Sequence, residues 1–334
     1  MAEEKGAVKA AKPDTEIRSF SLTNEQINNL KQKLGITPSD KPAEILRKIY
    51  LGLYSGEKKA ESGNLGISYI FNKGLTKSPL EVLISKKADC DELTRTAYIL
   101  ASKLGVTSMV MIEMTWAKGK TQEGHAALVL MPEKAGDKPL LFDFTYQYNA
   151  IPLDSTNIET EIKKKYEEKE MQNFKVERQL KTLQEAEASY YSRVGGFHLK
   201  KKKLMLAIEA YEKAVKLAPS EIRYNYNLAV AYRKLSKLDN ALEALKNACD
   251  LIDLKTDRNL VNGIHEKLAF AYHDKGAEIY NKAQGILKQG KREEAKEMFN
   301  EALELFKEAL THLDDERIQK AIKTAERKLE KLEK

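Results

Sequence analysis

Residues 207–219 read AIEAYEKAVKLAP, and residues 241–253 read ALEALKNACDLID. The two stretches superimpose at a displacement of 34 residues: Ala207 falls on Ala241, Ala210 on Ala244, Tyr211 on Leu245 and Ala214 on Ala248. The same displacement places Val194 on Leu228, Gly195 on Ala229 and His198 on Tyr232. A shift that holds over two helix-length stretches marks a repeated two-helix unit. One such unit cannot bury its apolar face alone, so copies stack into a continuous core. Gly195, Ala207 and Ala214 have a physical reason to be small, because small side chains let neighbouring helices approach closely. Pro219 closes the first unit.

The pattern resembles the tetratricopeptide repeat (TPR). A third, stretched unit follows, with Leu268, Ala269 and Tyr272 echoing its first helix and Ala295, Phe299 and Ala302 its second. A charged helix from about Glu316 to Lys334 closes the array as a solubilising cap. The resemblance implies an all-α, TPR-like solenoid with a groove for a peptide or partner helix. Cys249 aligns with Val215 and His198 with Tyr232, so both are expected to pack between helices.

Upstream of the repeats the periodicity is mixed. Thr23 and Gln26 form a capping-box pair ahead of Ile27, Leu30 and Leu34, so a helix is expected there. Further helices are expected over 43–54, from Ser78-Pro79 through Ile84, and over 90–104, where Gly105 ends the last. The stretches 107–115, 124–131 and 140–145 are rich in Val, Met, Leu and Phe and read as strands, with PEKAGDK as the hairpin loop. Helices followed by a small antiparallel sheet make an α+β unit. The segment 159–170 reads as a charged helix, and 173–177 is ambiguous between strand and helix.

Three motifs in this half carry chemistry: KADCDEL at 87–93, GHAALV at 124–129 and LFDFT at 141–145. Cys90 stands at an expected helix start, where unpaired N–H groups and the helix dipole favour a thiolate. If the two strands pair symmetrically about Ala135, His125 lies opposite Thr145 and Asp143 opposite Ala127. His125 and Asp143 are then diagonal neighbours on one face; a slip of one residue would separate them. Asp91 and Glu92 suit a first helical turn, but their charge opposes a thiolate.

Together these motifs resemble the transglutaminase-like superfamily, over roughly residues 40–150, with SPLEVL at 78–83 also fitting. Ala88 departs from a common Gly, and Ala127 from a common aromatic residue. The resemblance implies a papain/transglutaminase-like α+β fold with Cys90 as nucleophile, His125 as acid–base group and Asp143 fixing its tautomer. The Cys90 N–H would be one oxyanion donor, with Trp116 and Asn72 as candidates for the second. Peptide:N-glycanase activity occurs on such folds, but this chain has no Cys-x-x-Cys zinc pair. It also lacks the carboxylate-rich loop that calcium-dependent cross-linking requires.

Net charge is +7, with Lys and Glu alternating along helix faces. No zinc-finger spacing or aromatic RNA-binding signature accompanies it, so nucleic acid is not an expected partner. Two distant cysteines, no signal-like apolar start and no membrane-length apolar run give the expectation of a cytoplasmic protein. His265, His273 and His312 lack metal-ligand spacing, so neither a metal nor another cofactor is expected. The expected layout is a tail over 1–15, an α+β domain over 16–158, a connector over 159–185 and helical repeats over 186–334. The leading functional expectation is cysteine-dependent acyl transfer on protein or peptide amides, a protease or amidase, with the repeats recruiting substrate. The alternative is a non-catalytic adaptor that binds proteins.

Overall fold

The computed structural model describes residues 22–53, 65, 67–69, 77–85, 87–118, 121–144, 148–167 and 172–333. The expected tail over 1–15, Asn72 and Thr145 lie outside them. Two compact units divide the described chain, one ending at Arg193 and the other beginning at Val194.

The first unit opens with α1 (Asn24–Lys33) and α2 (Pro42–Leu53). The capping box at α1 forms in full: Gln26 N–H donates to Thr23 Oγ1 at 3.2 Å, and Thr23 N–H donates to Gln26 Oε1 at 2.8 Å. Then come β1 (Ser68–Tyr69), α3 (Pro79–Ser85), β2 (Lys87–Ala88) and α4 (Cys90–Lys103). β1 and β2 pair in parallel. Gly105, at φ +91°, takes the left-handed turn after α4 that a side chain would resist.

A five-stranded antiparallel sheet follows, built from β3 (Met109–Lys118), β4 (Thr121–Leu130), β5 (Leu140–Asp143), β6 (Tyr148–Pro152) and β7 (Gln172–Leu180), in the order β6-β5-β4-β3-β7. Between the last two strands lies α5 (Ile158–Glu167). Leu128, Val129 and Leu130 pair with Phe142, Leu141 and Leu140, the register that symmetry about Ala135 demands. The segment expected to connect the domains supplies α5 and β7 to this unit instead. β7 pairs with β3, and Ile158, Ile162 and Tyr166 pack beneath the sheet with Ile112, Ala127 and Val129. The Lys/Glu-rich reading missed this because only one face of α5 is apolar.

The unit boundary falls within α6 (Leu183–Lys200). Helices α7 (Leu204–Leu217), α8 (Ile222–Lys234), α9 (Leu238–Asp250), α10 (Arg258–Lys288), α11 (Arg292–His312) and α12 (Glu316–Glu333) follow. This half is an all-α, TPR-like array. Its periodicity reaches the backbone: Lys202 and Ser236, 34 residues apart, both sit at positive φ, 59° and 58°. At each turn the following N–H reaches back five residues, Lys203 to His198 O at 2.9 Å and Lys237 to Tyr232 O at 3.0 Å. Lys291 to Ile286 O, at 3.4 Å, repeats the closure after the stretched helix α10, with Gly290 at φ +82°. These are Schellman closures, which satisfy carbonyls that the helix end leaves open.

Helix contact is as close as the small residues imply. A Cβ on Gly195 would lie 2.7 Å from the Tyr211 ring, and one on Gly276 would lie 2.8 Å from Phe306 and 3.1 Å from the Ala302 carbonyl oxygen. No described helix is long and apolar enough to cross a membrane.

Candidate functional site

Three elements of the first unit bring the expected triad together. Asp89 caps α4: Glu92 N–H donates to Asp89 Oδ1 at 2.9 Å, and the Glu92 carboxylate returns to Asp89 N–H at 3.1 Å. Cys90 is therefore the first helical residue, and its backbone N–H is among those with no intrahelical acceptor. Two contacts fix the helix on β4. Cys90 Sγ donates to Gly124 O at 3.8 Å, and one turn later Thr94 Oγ1 donates to Ala126 O at 3.0 Å. His125 lies between those carbonyls in sequence.

His125 Nε2 and Asp143 Oδ2 are 2.6 Å apart, both buried. His125 also acts on the Cys90 thiol, drawing its pKa down against the rise that burial causes. Trp116 meets the His125 ring edge-on at 5.7 Å. It packs against the imidazole.

Sequence reasoning missed a fourth member. The Tyr166 hydroxyl, from α5, donates to the same Asp143 Oδ2 that meets His125. Its ring stands edge-on to His125 at 5.8 Å and stacks on Phe174 at 5.6 Å. Two donors converging on one oxygen hold Asp143 as an acceptor. The available signal was an aromatic on the apolar stripe of a charged helix, which reads equally as core.

The charges around the thiol pull in opposite directions. Burial pushes the Cys90 thiol above its usual range, and His125 opposes that shift. Burial alone would lower His125, but Asp143 and Cys90 outweigh it and hold the imidazole protonated well above its usual value. Burial, and then the neighbouring Asp91, raises Asp89. Glu92 is pushed up to about 7 by burial and by Asp89.

Behind α4 lies a buried ion cluster that no motif announced. Glu113, in the middle of β3, meets Arg95 Nη2 at 2.8 Å, Arg178 Nη2 at 2.5 Å and the Ser189 hydroxyl at 2.5 Å. Burial works against its charge, yet Arg178, Arg193 and Arg95 hold it below the usual carboxylate range. The signal lay in the strand itself, where MVMIEMTW puts one acid amid apolar residues.

In the second unit a cavity of about 380 Å³ opens between α8, α9 and α10. Ala229, Val230 and Leu245 line its apolar part, and Arg233, Lys234 and Lys267 its basic part. Arg233 is paired with Asp274, which also lines the cavity, at 2.7 Å.

The family model that matches the chain is that of the ChAPs, described as Chs5p-Arf1p-binding proteins, over residues 163–330. That is half of the chain. The chain belongs to the ChAPs family. The match runs from α5 through most of α12. No curated protein matches this ChAPs chain. Among solved structures, the N-terminal domain of stress-induced protein-1 (STI-1) from C. elegans is 20% identical with a TM-score of 0.30, covering 43% of this chain and 98% of that one. The TPR2B-domain:pHsp70-complex of yeast Sti1 is 19% identical with a TM-score of 0.25, covering 42% and 98%. The Sgt2 TPR domain from Aspergillus fumigatus is 21% identical with a TM-score of 0.24, covering 43% and 80%.

The family match corrects the expected recognition. A transglutaminase-like cysteine protease domain, and the hydrolase reading attached to it, is overturned: the matching family is the ChAPs. The physical reason is the small information content of the resemblance. It rested on three short motifs with one reactive residue each, and a Cys, a His and an Asp can be brought together by unrelated chains.

Proposed function

We propose that this ChAPs-family chain is an adaptor whose helical repeats bind an acidic protein segment. The cavity at α8, α9 and α10 is the observation that carries this reading. Its apolar part suits an aliphatic or aromatic anchor. With Arg233 matched by Asp274 and Lys267 by Glu266 at 2.5 Å, Lys234 leaves the wall positive. Such a wall attracts carboxylates and repels basic segments. The family description names Chs5p and Arf1p as what its members bind, which supports a protein as the partner class.

The test is fluorescence anisotropy with labelled peptides about ten residues long, Asp/Glu-rich with one Leu, against Lys-rich peptides carrying the same Leu. Acidic peptides are expected to bind, more weakly as salt rises, and to lose about tenfold or more in affinity in Lys234→Glu/Lys267→Glu. Equal binding of acidic and basic peptides, or indifference to the charge reversal, overturns the reading.

A second reading concerns the first unit. The 2.6 Å His125–Asp143 contact, with the Cys90 thiol held on the Gly124 carbonyl beside His125, favours Cys90 as a nucleophile, His125 as its proton partner and Asp143 as the orienting group. Iodoacetamide labelling followed by peptide mass spectrometry tests it. His125→Ala is expected to slow Cys90 alkylation at pH 7 by about tenfold or more and to leave Cys249 unchanged. Equal rates at Cys90 with and without His125 would sink it.

A further inference from the structure

The sequence around the thiol, Asp89-Cys90-Asp91-Glu92, sets three carboxyls beside one sulfur. Each would oppose a thiolate, and the fold disposes of each differently. Asp89 is occupied as the helix cap. Glu92 turns back to Asp89 N–H, accepts Lys77 N–H at 2.7 Å and lies 3.5 Å from Lys77 Nζ. Asp91 takes part in neither arrangement. Its Oδ2 meets the guanidinium of Arg193, at the end of the first unit. Its Oδ1 is buried with no hydrogen-bond partner among the described residues.

That orphaned oxygen is informative. A buried carboxylate retained for its hydrogen bonds uses both oxygens, because leaving one dry costs free energy. Asp91 is held by charge on one side only. Arg193 itself is not free to leave, since its Nε faces Glu113 Oε1 at 4.0 Å, and Glu113 is locked by Arg95, Arg178 and Ser189. Three guanidinium groups, Arg95, Arg178 and Arg193, thus answer three carboxyls, Glu113, Asp91 and the capping Asp89. Asp91, next to Cys90 in the chain, acts on the thiol directly, so the guanidinium that cancels its charge is felt there. Cys90 in turn contributes to holding Arg193 charged, after Asp91, Glu113 and Asp89.

We propose that Arg193 is a positioning residue for Cys90, cancelling the charge of Asp91 so that a thiolate can form at the start of α4. The proposal rests on the reading of Cys90 as a nucleophile. The groups facing the thiol are His125, with Asp143 and Tyr166 behind it, from β4, β5 and α5, then Asp89, Asp91 and Glu92 on α4 itself, and Arg193 from α6.

The experiment is the pH profile of Cys90 alkylation by iodoacetamide in the full chain, read by peptide mass spectrometry. Arg193→Met is expected to move the profile to higher pH and slow alkylation at pH 7 by about tenfold. Asp91→Asn added to that variant restores the profile, and Arg193→Lys largely preserves it. Asp91→Asn alone, with the arginine intact, is expected to speed alkylation, so the test survives if Arg193→Met fails to fold. An unmoved profile in a folded Arg193→Met, failure of Asp91→Asn to restore it, or no acceleration in Asp91→Asn alone overturns the proposal. His125→Ala separates the two claims. If it leaves Cys90 reactivity unchanged while Arg193→Met still shifts the profile, the nucleophile reading fails and the charge compensation stands.

Discussion

The two units fill their interiors with opposite materials. Between Leu22 and Arg193 the buried groups include Arg95, Glu113, His125, Asp143, Asp91 and Glu92. Between Val194 and Glu333 only His198 and Asn225 are both polar and buried among the described residues, and the core is Ala, Leu, Tyr and Phe. A charge in a low-dielectric interior is tolerated only when its partners are fixed in place. An alanine between helices asks only that nothing larger intrude. The first unit is therefore built to orient reactive and charged groups, and the second to repeat one contact.

The comparison can be broken most severely at Glu113. Glu113→Ala leaves Arg95, Arg178 and Arg193 facing one another, and urea unfolding is expected to show a loss of about 3–5 kcal/mol. A loss below about 1 kcal/mol would mean the charges of this interior do not depend on one another.

In the repeats the severe change is steric. Gly276→Val is expected to lose about 1–3 kcal/mol, because its Cβ meets Phe306 and the Ala302 carbonyl. Gly285, on the same helix, has nothing within 4 Å of a built Cβ. Gly285→Ala is expected to gain about 0.5–1 kcal/mol through helix propensity. Equal effects at the two glycines would deny that close approach governs this array.

The units are also expected to answer acid in opposite directions. Glu92 titrates higher in the folded state, about 7 against an ordinary 4.5. Its contribution is complete below the ordinary value and is lost as pH rises through about 7. Stability of the first unit therefore falls across that window, and Glu92→Gln flattens the dependence. His312 behaves inversely and with the smallest effect. Burial, then the charge of His265, lowers its pKa, although Glu308 pulls the other way. The two rings share an Nδ1···Nδ1 contact of 3.2 Å, and Tyr272 stacks on His312. The unfolded chain takes the proton first, so the second unit loses stability as pH falls through 6.5. His312→Phe removes that loss. Limited proteolysis at pH 5 and 7, with fragments assigned to each unit, reads both trends, and parallel shifts would refute the contrast.

Much of this was legible from local chemistry. The 34-residue offset announced helices α7 and α9, whose starts at Leu204 and Leu238 keep that spacing. The capping box at Thr23 and the glycine stop at Gly105 are local, and both form. The pairing of β4 with β5 followed from hairpin symmetry, and with it the meeting of His125 and Asp143. What Trp116 touches, the edge of the His125 ring, is decided by its neighbour on the sheet and not by its own chemistry. Ala127 illustrates the same point. It lacks the aromatic bulk expected from the resemblance because it is buried opposite Ile112 in a filled core.

The sequence by itself determined the repeats, most of the helices, the central strands and the three residues that gather at the thiol, because periodicity, caps and hairpin symmetry act over a few residues or one repeat. Only the tertiary structure decided what surrounds those residues. Tyr166 on Asp143, Arg193 on Asp91 and the arginines on Glu113 join segments far apart in the chain. No local propensity encodes such a meeting; it exists because desolvated charges must find partners once the chain has closed around them.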